Sequence, residues 1–160
     1  MANVLVSDSS PIMDFILRPA RAADYEWLWN LKRLTMRPYV EQTWGLWDDL
    51  AQEEFFRHSY RAESVQVVVV DRADAGLLHV ERELQELFLA NIQIHPDFQN
   101  RGLGSAVVGT VIETGRQLRL PIRLQVLKVN TRARLLYERL GFSVSQDTGT
   151  HTIMRKLPAA

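Results

Sequence analysis

A β-competent run passes through a short polar loop with two closely spaced glycines straight into an apolar helical run, and few folds accommodate that succession. The segment is Ile92-Gln93-Ile94-His95-Pro96-Asp97-Phe98-Gln99-Asn100-Arg101-Gly102-Leu103-Gly104-Ser105. Gly102 and Gly104 let the main chain approach a ligand closely and turn its N–H groups outward. A helix starting there adds unpaired N–H groups and the positive end of its dipole. Arg101 sets a cation beside them, so a diphosphate is the natural occupant. The nucleotide-binding versions of such a loop are incomplete. A Rossmann fingerprint needs a third glycine where this chain has Val107, and the Gly-Lys-Ser/Thr of a Walker loop is absent. Taken alone, Gly-x-Gly serves as readily to shape a strand-to-helix turn.

Apolar periodicity places the segment within an alternation of strands and helices. Phe15 to Arg18 reads as a first strand ended by Pro19, and Asp24 as the cap of an amphipathic helix carrying Trp27, Leu28, Leu31 and Leu34. Pro38 should end or kink that helix, leaving Tyr39 to Trp47 as a packed aromatic connection. A second helix from Asp48 to His58 should bury Leu50, Phe55 and Phe56. Val65 to Val70 has the β-branched character of a strand covered on both faces. Asp71 to Gly76 reads as a turn, and Leu77 to Glu81 and Glu86 to Ile94 as two more strands of a meander. Leu103, Val107, Val111, Thr114 and Leu118 mark one stripe of the next helix, closed by Pro121. Ile122 to Leu127 is then a strand, Asn130 to Leu140 a helix stopped by Gly141, and Phe142 to Ser145 with Thr150 to Arg155 a final strand pair. The order βαα-βββ-αβ-αββ predicts an α/β chain built on one mixed sheet, since it combines a meander with crossovers.

At 160 residues there is room for one core, so residues 14–157 read as a single domain behind a disordered leader, 1–13. Lys plus Arg equals Asp plus Glu at 19 each, which leaves no basic excess for nucleic acid. Without cysteine there is neither a disulfide, a thiolate metal site nor a cysteine nucleophile. His58, His79, His95 and His151 lack metal-ligand spacing, so no metal is expected. No apolar run has signal or membrane-spanning length, which points to a cytoplasmic protein that avoids the membrane.

Gln99-Asn100-Arg101-Gly102-Leu103-Gly104 resembles the Gln/Arg-x-x-Gly-x-Gly/Ala signature of the GNAT superfamily of acetyltransferases, with the same flanking strand and apolar helix. Downstream, Asn130-Thr131-Arg132-Ala133-Arg134-Leu135-Leu136-Tyr137-Glu138-Arg139-Leu140-Gly141-Phe142 resembles that family's Asn-x-x-Ala-x-x-Leu-Tyr-x-x-x-Gly-Phe block. With the order of elements, the resemblance covers about Phe15 to Lys156.

The resemblance implies that acetyl-CoA, as co-substrate, lies in a wedge where the fourth strand (Glu86–Ile94) and the fifth (Ile122–Leu127) splay apart. Main chain of Ile92, Gln93 and Ile94 would line the pantetheine, and N–H groups of Gln99, Asn100, Arg101, Gly102, Leu103, Gly104 and Ser105 would take the pyrophosphate. Asn130 would cap its helix and hold the pantetheine arm, and Tyr137, close to two turns on, would protonate the departing thiolate. The implied activity is N-acetyl transfer to a small primary amine or an exposed peptide amine, by direct attack in a ternary complex. A carboxylate on the fourth strand would take the amine's proton. Ungapped counting from Gln99 finds Phe88 there, so Glu86, two residues earlier on the same face, is the first candidate, with Glu81 and Glu83 behind it. The first two helices with Tyr39, Trp44 and Trp47 would wall the acceptor side, and Glu41, Asp48 and Asp49 are available to attract a cationic amine. Phe88 leaves a second reading open, an acyl-CoA-binding module without turnover. The family's partners are the acceptor and, in a homodimer, a second copy of the chain.

Overall fold

The computed structural model describes residues 14–159, so the expected leader 1–13 lies outside the described residues. In chain order the elements are β1 (Ile16–Pro19), α1 (Tyr25–Trp44), α2 (Asp49–Ser59), β2 (Val65–Val70), β3 (Ala73–Arg82), β4 (Leu87–Ile94), α3 (Leu103–Leu118), β5 (Ile122–Leu127), α4 (Thr131–Arg139), β6 (Ser143–Asp147) and β7 (His151–Lys156). Two 3₁₀ turns, Ala22–Asp24 and Pro96–Phe98, lead into α1 and the glycine loop. The seven strands form one sheet in the order β1-β2-β3-β4-β5-β7-β6. Only β4 and β5 run parallel; the other neighbours are antiparallel, so the sheet is mixed as the element order predicts.

Two apolar layers sandwich the sheet. On one face α3 and α4 bury Leu103, Val107, Val108, Val111 and Tyr137 against Val68, Leu78, Leu87, Leu89 and Leu124. On the other, α1 and α2 bury Leu28, Trp29, Leu31 and Phe56 against Val65, Val67, Val69 and Leu77. The near-continuous valine run of β2 serves both layers, which is why it carries no polar alternation.

The parallel pair carries the feature that matters for function. Pairing between β4 and β5 covers only Leu87↔Ile122, Phe88↔Arg123 and Leu89↔Leu124. At that point β4 also slips against β3: His79 faces Asn91 while Val80 faces Leu89, leaving Ala90 as an extra residue. A bulge bends and twists its strand, so β4 swings away from β5 and the sheet forks beyond Leu89. The bulge also changes which residues share a face: Leu87, Leu89, Ile92 and Ile94 all pack in the α3–α4 layer.

Close approach of β3 to β4 fixes the far side of the fork. Gly76 faces Ile94, and a Cβ there would lie 2.5 Å from the Gln93 carbonyl oxygen. Gly76→Ala is expected to cost about 1–3 kcal/mol, as overpacking does. A urea melt reads this as a lowered midpoint at unchanged slope; an unchanged midpoint would mean that the two strands separate freely.

Several local expectations fail. Pro38 lies inside α1, which continues to Trp44 and ends at Gly45, whose φ of +82° and N–H bond to the Glu41 carbonyl (2.7 Å) close it. Pro38 is exposed, so water reaches the backbone it leaves unpaired, and packing of α1 on the sheet overrides the helix-breaking tendency. Tyr39 to Trp44 is therefore helix. Of the three residues expected to be buried on α2, Phe56 is, but Leu50 and Phe55 are 81% and 67% exposed. Leu34 and Thr114 are exposed too, and Gly115 takes the buried place on α3, where a Cβ would stand 3.0 Å from the Leu120 carbonyl oxygen. The β2–β3 turn is only Asp71-Arg72, both at positive φ, which suits a two-residue hairpin. The Asp24 carboxylate faces backward, accepting from the Arg21 amide and from Nη1 and Nη2 of Arg18, instead of capping α1.

Candidate active site

The glycine loop begins where β4 ends. Gln99 ties the two together, its Nε2 donating to the Ile94 carbonyl at 2.7 Å. Asn100 and Gly102 take positive φ (64° and 77°), which turns the chain sharply into α3. The first backbone bond of α3 is Ala106 N–H to Gly102 C=O at 3.1 Å, and no side chain caps the helix. The amides of Leu103, Gly104 and Ser105 therefore have no partner among the described residues, as an anion site requires. Beside Gly102 there is open space: a Cβ there would meet nothing within 4 Å.

Arg132, at the start of α4, crosses to this loop and donates to Gln99 Oε1 (3.3 Å) and to Asn100 Oδ1. Sequence reasoning gave it no role; its place just after Asn130, at a helix start that must meet the loop, is the signal that was available. Arg101, expected as the flanking cation, is exposed and does not line the cavity. Arg132 does.

Asn130 caps α4, its Oδ1 accepting from the Ala133 amide at 3.1 Å. The other end of α4 closes through Gly141 at φ +94°, with Gly141 N–H to Glu138 C=O (3.0 Å) and Phe142 N–H to Tyr137 C=O (3.0 Å). This is the paired bonding of a Schellman stop, which brings the residue after the glycine onto the last turn. Here the Phe142 ring meets Tyr137 edge-on, centroids 5.7 Å apart. The Tyr-x-x-x-Gly-Phe spacing is thus a device that clamps the tyrosine. Tyr137 is buried, and burial pushes its phenol up to about 12.

Past Leu89 the inner edge of β4 is open. His95 N–H bonds the Ala75 carbonyl of β3 (2.8 Å), so the alternation of the strand turns the N–H and C=O of Ile94 and Ile92 toward the fork. Two cavities meet there. One, about 590 Å³, runs from the glycine loop past Ile92, Gln93 and Ile94 to α4. The other, about 600 Å³, lies between α1, α2 and the ends of β4 and β5. Met36, Ile92, Asn130, Ala133 and Tyr137 wall both. Gln93 also carries a buried side-chain amide with no partner among the described residues.

Glu86 stands apart. It precedes β4 and is held by Arg123 Nε (2.7 Å) and Arg155 Nη2 (3.5 Å), and it lines neither cavity. Glu83 pairs with the same Arg123 (3.4 Å) and Glu81 with His79 (3.2 Å). Phe88 does line the second cavity, as do Trp44 and His151, whereas Trp47 is a core residue stacked on Trp29 and Tyr39 lines the first. Among the described residues no aspartate or glutamate lines either cavity, no metal-holding cluster forms, and no helix is long and apolar enough to cross a membrane.

Residues 25–142 match the model of the acetyltransferase (GNAT) family. The fold is shared with the PaiA N-acetyltransferase of Thermoplasma acidophilum, solved in complex with coenzyme A, at 18% identity over 91% of this chain and 99% of that one, TM-score 0.72. It is shared too with the ribosomal-protein-S18-alanine N-acetyltransferase of Escherichia coli (20% identity, 92% and 96% covered, TM-score 0.69). An acetyltransferase from Thermus thermophilus aligns at 18% identity with 91% and 98% covered and a TM-score of 0.69. A forked mixed sheet, unpaired backbone amides at the head of α3 and a family match over more than half the chain agree: this protein belongs to the GNAT family of N-acetyltransferases.

Proposed function

We propose that the protein transfers an acetyl group from acetyl-CoA to a primary amine while both substrates are bound. The observation that carries this reading is the set of residues shared by the two cavities, which lets a group laid along one meet a group entering by the other. The unpaired amides of Leu103, Gly104 and Ser105, with Gly102 and Asn100 shaping the loop and Gln99 and Arg132 bracing it, hold the pyrophosphate. The fork-facing main chain of Ile92 and Ile94 orients the pantetheine, and Asn130 closes that wall. Acetyl-CoA supplies an acyl carbon already activated as a thioester. The Ile94 N–H polarises its carbonyl as charge develops on oxygen. Tyr137 gives its proton to the thiolate sulfur, and the proton that the amine nitrogen sheds as the amide forms restores the phenol, so one proton passes from nitrogen to sulfur and the C–S bond is replaced by C–N. The acceptor enters as the neutral amine, because a cavity with Lys32 and no carboxylate in its lining disfavours an ammonium ion. Glu86 has no part in proton removal in this reading; it anchors Arg123 and Arg155.

The test is thiol release from acetyl-CoA against a panel of small amines and short peptides, with mass spectrometry of the acceptor. Free thiol should form in step with an acetylated amine. Coenzyme binding without transfer to any amine would favour the acyl-CoA-binding module instead.

A further inference from the structure

We propose that Lys32 is the cation of a carboxylate site in the acceptor cavity, and that the acceptor is an amine bearing its own carboxylate on an apolar or aromatic body, of which a free aromatic amino acid is the simplest. The substrate class rests on the transferase reading above.

Lys32 is on α1 and only 8% exposed, and it lines the cavity between α1, α2 and the fork. Its ammonium sits 4.9 Å from the Phe55 ring centroid and 5.8 Å from that of Phe56, and no carboxylate lies within 4.0 Å among the described residues. Aromatic faces offset part of the loss of water, but a buried charge without a counter-ion remains costly. Burial accordingly pulls this ammonium down to about 8, which still leaves it mostly charged at neutral pH. A ligand carboxylate is the group that would relieve it.

The surroundings decide the sign of the ligand. The three carboxylates that the sequence offered to attract a cationic amine are each engaged elsewhere: Glu41 with Arg37 (2.6 Å), Asp48 with the Ala51 amide (3.1 Å), and Asp49 with Trp47 Nε1 (2.6 Å) and Arg33 (3.2 Å). None lines the cavity, so a polycationic amine would meet a cation and no anion. The rest of the wall suits an apolar or aromatic body, with Trp44, Phe55, Phe88 and Leu127 facing in and Asn91 and Gln125 as neutral polar groups. Met36, four residues after Lys32 on the same face of α1, reaches the fork itself. The anion site and the fork are thus about one helical turn, roughly 5–6 Å, apart, a span that one small molecule covers.

The experiment compares L-phenylalanine, L-phenylalaninamide, phenethylamine and spermidine as acceptors by thiol release, in the wild-type chain, Lys32→Met and Lys32→Arg. Phenylalanine should exceed the amide and phenethylamine in kcat/KM by about tenfold or more, the size expected of a charge-assisted contact. Lys32→Met should erase the preference mainly through KM and leave coenzyme affinity unchanged; Lys32→Arg should keep it. Lys32→Met also removes an unpaired buried cation, so its thermal midpoint should hold or rise. A preference for spermidine or the amide, or one that survives Lys32→Met, overturns the proposal. If no acceptor turns over, calorimetry of L-phenylalanine binding to the CoA-loaded protein decides. Binding that Lys32→Met abolishes keeps the carboxylate site while the transferase reading falls. No binding by the wild-type protein removes the site as well.

Discussion

Gly102→Glu is expected to weaken coenzyme A binding severely and to leave the fold standing. Gly102 sits at φ +77° immediately before three unpaired amides, and a side chain added there projects into open space beside them. A carboxylate at that point meets the ligand's phosphates as a like charge and takes up the positive end of α3 itself. Like-charge juxtaposition costs several kcal/mol, so affinity should fall by about 100-fold or more. The stability cost is smaller: left-handed backbone at a non-glycine residue costs roughly 1–2 kcal/mol, partly offset by an anion at a helix start. Gly102→Ala separates the two effects, since it carries the backbone strain without the charge and should lower affinity far less. Calorimetry with coenzyme A reads the affinities and a thermal melt reads the fold. Undiminished binding by the glutamate variant would move the diphosphate off this loop.

What could be read without coordinates was the succession of elements and the tight glycine turn into α3, because both are written in local chemistry. β2 is a valine run, and the start of α3 needs glycine where φ turns positive. Other features depended on contacts distant in sequence. The fork rests on an extra residue at Ala90 that nothing in the string marks, since the slip exists only relative to β3. Pro38 signalled a helix end, but its helix packs on the sheet along its length and outlasts it. Phe55 sits on the expected stripe of α2, yet it looks into the second cavity over the Lys32 ammonium. Glu86 was a fair candidate base until Arg123 and Arg155, on strands far along the chain, proved to be its partners. Local patterns thus located the glycine loop and its helix well and the lining of the second cavity poorly. The wall of the second cavity is assembled from α1, α2, β4, β5, α4 and β7, and no single stretch of sequence contains it.

Tyr137→Phe should lower kcat by about 100-fold while coenzyme affinity stays nearly constant, the low end of what a positioned proton donor contributes. The substitution removes one hydroxyl. The edge-on contact with Phe142 and the closing bonds of α4 involve the ring and main chain, so they survive it. A loss confined to kcat identifies an interaction made in the transition state; a rise in KM alone would make Tyr137 a wall residue. Burial raises the phenol to about 12, above a free thiol near 8.5, so proton return looks uphill in water. In the proposed reaction the thiolate would share the same buried fork, and desolvation would raise that anion's basicity too, which narrows the gap. The elevated value also gives a pH signature. With a folded pKa of about 12 and an unfolded one near 10, the neutral phenol's contribution to stability is fully present below pH 10. It is lost as pH rises through 12, because the folded state then holds a proton that the unfolded state has released. The phenylalanine variant should lack that alkaline slope in its denaturation curves and show the kcat loss at every pH below it. Turnover equal to wild type would leave the thiolate to be protonated by solvent, and the tyrosine as packing alone.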